Sequence, residues 1–94
     1  MSLTFRPNLF DGEAVIEAHG RLFRVAVGVA SGQRGGWFGH LEVPDAGEHW
    51  AFGDAVTIAA RTGESVALVL PDGRRGVVEI DDSLWFEGRG PWLA

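Results

Sequence analysis

Fourteen glycines are spread through a chain of 94 residues, and the stretches between them are short and rich in Val, Ile, Leu, Phe and Trp. A chain interrupted this often has little room for long helices, and its apolar residues must be buried by brief strands joined by turns. The alternation of side chains along those stretches supports this. From Glu13 to His19, Ala14, Ile16 and Ala18 fall on one face and the polar residues mostly on the other. After the turn His19-Gly20-Arg21, Leu22 to Val29 places Phe23, Val25, Val27 and Val29 on one face. Both runs have the period of two expected of half-buried strands.

Ser31-Gly32-Gln33-Arg34-Gly35-Gly36 reads as an exposed loop feeding a third strand, Trp37 to Val43. There Trp37, Gly39, Leu41 and Val43 share the expected inward face, and Phe38, His40 and Glu42 share the outward one. Residues 44–54 have no clean period and are read either as one helical turn or as an ordered loop, with Trp50 and Phe52 covering an open end of the core. Ala55 to Arg61 and Ser65 to Leu70 alternate on either side of Thr62-Gly63-Glu64. They predict a hairpin in which Val56 and Ile58 face Val66, Leu68 and Leu70. Pro71-Asp72-Gly73 predicts a turn, a strand follows from near Gly76 with Val78 and Ile80 on one side, and Asp81-Asp82-Ser83 turns into Leu84-Trp85-Phe86-Glu87.

Six or seven short strands with no long amphipathic helix define an all-β chain, a small antiparallel barrel or barrel-like sandwich. Residues 1–94 are too few for two packed cores and form one small β domain. A barrel is favoured over a sandwich because it removes exposed strand edges. Thirteen acidic residues against eight arginines leave a net charge of −5, which opposes binding to phosphate-rich nucleic acid or anionic lipid. Cysteine is absent, so thiolate chemistry and disulfides are excluded, and a cytoplasmic location is expected. No apolar run approaches membrane length and the N-terminus has no signal-peptide pattern.

The residues that carry chemistry elsewhere form no pattern that points to catalysis here. His40, Glu42 and His49 are the one set from which a metal site can be drawn, but their spacing is not that of a ligand set, and no metal is expected. The carboxylates of Glu79, Asp81 and Asp82 fit a solvated turn whose side chains bond their own backbone. Ser2, Ser31, Ser65 and Ser83 lack a nucleophile setting. Asp81-Asp82-Ser83 invites comparison with PilZ barrels that bind a cyclic dinucleotide. Phe86, however, stands where that motif has glycine, and Arg21 and Arg24 are three apart rather than four. The expectation is no catalytic residue and no cofactor.

The aromatic residues are more informative, because Trp85 cannot face the same way as Leu84 and Phe86, so some aromatic area must lie at the surface. Phe10-Asp11-Gly12-Glu13-Ala14, Trp37-Phe38-Gly39-His40-Leu41 and Phe86-Glu87-Gly88-Arg89-Gly90-Pro91, in that order, resemble the landmarks of an uncharacterised small β domain found beside or fused to flavin-dependent monooxygenases. That resemblance implies an accessory or binding role and assigns no catalytic residue. The expected function is a non-catalytic interaction module that docks on a protein partner or self-associates as a homo-oligomer, with Trp85, Arg89 and Trp92 as the interface. The alternative is a barrel that binds a small molecule at an open mouth lined by Trp37, His40 and Trp50.

Overall fold

A computed structural model describes residues 5–93. It has six strands and one helix in the order β1 (Phe10–Ala18), β2 (Arg21–Ser31), β3 (Trp37–Glu42), α1 (His49–Thr62), β4 (Val66–Val69), β5 (Arg75–Ile80) and β6 (Trp85–Gly88). The strands close into an antiparallel barrel in the spatial order β1-β2-β3-β6-β5-β4, sealed by β1 against β4 at Val15↔Val69, Ile16↔Leu68 and Glu17↔Ala67. The fold expected from the glycine-punctuated strands is therefore the one observed.

The period-two reading is borne out at each of the first three strands. Ala14, Ile16 and Ala18, then Phe23, Val25, Val27 and Val29, then Trp37, Leu41 and Val43 are all buried. The first two strands meet in a two-residue turn at His19-Gly20, both with positive φ, the geometry that matches strand twist in a tight hairpin. Trp37, Phe86, Ile16, Leu41, Leu68, Val25 and Val29 are fully buried and fill the barrel axis. The indole of Trp37 needs Gly88 opposite it, since a Cβ on Gly88 would overlap the Trp37 ring. Its Nε1–H donates to the Gly90 carbonyl at 3.1 Å.

The reading of Ala55 to Arg61 as a strand is corrected by the structure. These residues belong to α1, and Thr62-Gly63-Glu64 is the end of that helix, with Gly63 left-handed at φ 75° and its N–H bonded to the Ala59 carbonyl. The hairpin predicted to pair Val56 and Ile58 with Val66, Leu68 and Leu70 does not form, and β4 pairs with β1 and β5 instead. Val56, Thr57 and Ile58 are β-branched and favour strands locally. What prevails is burial: Phe52, Ala55 and Ala59, at spacings of three and four, form the face that α1 turns to the barrel. Phe52 meets Phe23 edge-on at 5.3 Å, so it covers one end of the core as expected. Trp50, grouped with Phe52 in that role, instead projects outward at 85% exposure. Residues 44–54 thus hold a short 3-10 turn at Ala46–Glu48 and the first turns of α1. No helix among the described residues is long and apolar enough to cross a membrane.

Candidate functional site: an aromatic face on β3 and β6

Alternation places Phe38 and His40 of β3, and Trp85 and Glu87 of β6, on the outside of the wall whose inside holds Trp37, Leu41 and Phe86. The register pairs His40 with Trp85 and Phe38 with Glu87, and sets Glu87 opposite Glu79 of β5. The outer wall is therefore a patch of rings next to a patch of carboxylates. His40 and Trp85 are 4.9 Å apart between ring centroids, and Phe38 and Trp85 are stacked at 6.4 Å with 27° between their planes.

A fourth ring comes from the start of the described chain. Phe5 lies edge-on to Trp85 at 5.2 Å and 5.7 Å from Phe38. The strap that carries it is fastened by the Asn8 and Leu9 N–H groups, which both donate to the Val29 carbonyl at 3.1 and 3.0 Å. The Asn8 side chain completes the anchor by accepting from the Ser31 N–H at 2.9 Å. To reach the rings, the strap crosses β2 at Gly28, where a Cβ would stand 2.8 Å from Pro7 Cγ and 3.0 Å from Phe5 Cε1. Glycine in mid-strand, which weakens a sheet, here opens a seat for a second layer of chain.

The loop presenting Trp85 is tightly built. Asp81 accepts from the Ser83 and Trp85 N–H groups at 2.8 and 3.0 Å, the self-bonding turn expected from its sequence. Leu84 is held left-handed at φ 65°, a conformation rare for a branched side chain and one that collects at functional positions. Its carbonyl accepts from the Leu41 N–H at 3.0 Å, which fixes the loop to β3. Between Trp85 and β5 runs a groove of about 490 Å³ with Phe38, Trp85 and Ile80 as its apolar surface and Glu79, Asp81 and Glu87 as its polar one. Arg89 pairs with Glu79 at its edge.

The sequence-derived interface residues are thus only partly brought together. Trp85 is exposed to 38% and lines this groove, and Arg89 reaches it through its ion pair with Glu79. Trp92 instead packs edge-on against Trp37 at 5.1 Å and is half-buried. The proposed ligand wall of Trp37, His40 and Trp50 does not assemble: Trp37 is in the core, His40 is on the opposite face of the same strand, and Trp50 stands out from α1. His49 Nε2 donates to the Val43 carbonyl at 2.6 Å, tying α1 to the end of β3. Among the described residues no group of three or more His, Cys, Asp or Glu is arranged to hold a metal ion. Phe38 was readable as outward from its alternation with Trp37, whereas nothing in the sequence signals that Phe5 lies on it.

Outside this wall, two carboxyls are depressed below their ordinary values. Glu64 accepts from Thr62 Oγ1 at 2.6 Å and then from His19 Nδ1 at 2.8 Å, and these bonds favour its ionised form. Asp72 is lowered chiefly by accepting from the Arg74 backbone N–H at 3.1 Å, helped by the Arg74 guanidinium. Both clamp turns and neither borders the aromatic face. Searches against protein-family models, curated proteins and solved structures found no match to this chain, so no family membership is drawn from them.

Proposed function

We propose that the protein is a non-catalytic interaction module whose contact surface is the outer wall of β3 and β6, centred on Trp85. One observation carries this reading: Phe5, Phe38, His40 and Trp85 are gathered on the outside of a barrel whose inside is already full. Clustered surface aromatics flanked by charged groups are the composition of contact hot spots. A small molecule held inside the barrel would need a hollow axis, and that space is occupied by Trp37, Phe86 and the aliphatic core. The accessory role implied by the resemblance to domains accompanying flavin-dependent monooxygenases fits the same reading, as does the cytoplasmic location expected of a cysteine-free chain.

The test places a photo-crosslinking residue at Glu87, with a control at Arg24, an exposed position on β2. In extract of the source cells, a discrete adduct is expected from position 87 and none from position 24. Trp85→Ala should abolish it while the circular dichroism spectrum of the barrel is retained. An adduct unaffected by Trp85→Ala, or one formed equally from position 24, would overturn the proposal. An adduct of twice the chain mass would identify the partner as a second copy.

A further inference from the structure

The chemistry of the groove narrows the class of partner. Glu79 and Glu87 stand directly opposite each other on β5 and β6, an arrangement that destabilises a sheet unless a cation intervenes. Arg89 supplies a guanidinium to Glu79, and among the described residues no cation pairs with Glu87. Asp81 is spent on the backbone of its own turn. Among the described residues Glu87 is thus the open acceptor beside the Phe38 and Trp85 rings, with Phe38 its direct cross-strand neighbour. A ring next to a free carboxylate is the arrangement that receives a guanidinium, flat on the ring and paired at its edge. A second copy meeting this face with the same face would bring a second unpaired Glu87 carboxylate and no cation beyond the Arg89 already paired with Glu79, in a chain of net charge −5.

We infer that the groove takes a cationic segment of a partner protein, an arginine laid on Trp85 and paired with Glu87, with a neighbouring apolar side chain against Ile80. This rests on the proposed contact role of the β3–β6 wall and adds to it the charge of the partner.

The probe is the peptide acetyl-Ala-Arg-Phe-Arg-Ala-amide, titrated into the isotopically labelled full chain at low salt while amide and indole resonances are followed. Saturable shifts are expected at Phe38, Trp85 and Glu87. Binding should weaken about threefold for Glu87→Gln, as for an exposed ion pair, and about tenfold for Trp85→Ala, as for a lost cation–π contact. It should also weaken as salt rises. Two analogues replace both arginines, one with leucine and one with glutamate, and the glutamate peptide should not bind. If the leucine peptide shifts the same residues as strongly as the arginine one, the contact face stands and the cationic partner is overturned. If no peptide shifts this wall, the cationic partner is overturned, and the crosslinking test above decides the contact face separately. Shifts confined to the surroundings of Trp50 would overturn the inference by placing the contact on α1.

Discussion

Replacing Gly28 with valine tests whether the Phe5 strap is seated where the geometry puts it. A Cβ at this position falls within 2.8 Å of Pro7 Cγ and 3.0 Å of Phe5 Cε1, and the two γ-methyls of valine reach further. The strap must lift. Phe5 then loses its contacts with Trp85 and Phe38, each worth about 0.5–1.5 kcal/mol beyond area burial. Against that loss of roughly 1–3 kcal/mol stands a gain of about 0.5–1 kcal/mol from removing glycine from a strand interior. The net is a destabilisation of about 1 kcal/mol, which lowers the Tm of a domain this size by about 4–8 °C. The barrel interior is untouched, so the circular dichroism spectrum should not change. In the NMR spectrum, the ring-current shifts of Phe5 should collapse toward random-coil values and those of Trp85 should change in part, since Phe38 and His40 remain beside it, while those of Trp37 stay as they are. An unchanged Tm together with an unchanged Phe5 environment would refute the reasoning, and so would loss of the whole fold.

Two further outcomes follow from the core and the turns. Gly88→Ala drives a methyl group into the Trp37 indole. Overpacking of this kind costs about 1–3 kcal/mol or more, so the urea midpoint should drop well below that of Gly28→Val; equal midpoints would mean that the ring has room to move. In acid, the two depressed carboxyls set a direction. Because Glu64 and Asp72 have lower pKa values folded than unfolded, the stability they carry is complete above the unfolded carboxyl range and is lost as pH falls below about 4.5 and through the lower folded values. A Glu64→Gln, Asp72→Asn variant should show a shallower loss of Tm over that interval than the parent, and an identical slope would contradict the assignment.

How far the sequence could be read depended on whether one local pattern had only one structural meaning. In β2, Phe23, Val25, Val27 and Val29 alternate with residues that water tolerates, and a strand is the one element that buries such a set on a single face. The same parity separates Trp37 from Phe38 and Phe86 from Trp85, so both faces of the future site wall were legible. Ala55 to Arg61 failed because alanine suits either element while Val56, Thr57 and Ile58 favour a strand locally. Burial of Phe52, Ala55 and Ala59 against the barrel, with Phe52 over Phe23 far away in the chain, decides for the helix. The Phe5 strap failed for a related reason. Its seat is a missing side chain on β2, and its target is a ring on β6 brought alongside only once β6 has paired with β3.

Oxidative footprinting of the tryptophans gives the most direct test of the contact surface, because the chain carries its own control. Trp85 and Trp50 are both exposed, on β6 and α1 respectively, whereas Trp37 is buried. Radical labelling of the purified chain and of the chain bound to its partner, read by mass spectrometry, should show Trp85 oxidation fall on binding while Trp50 oxidation stays constant. Protection of Trp50 with Trp85 unchanged would move the contact surface to α1 and contradict the account.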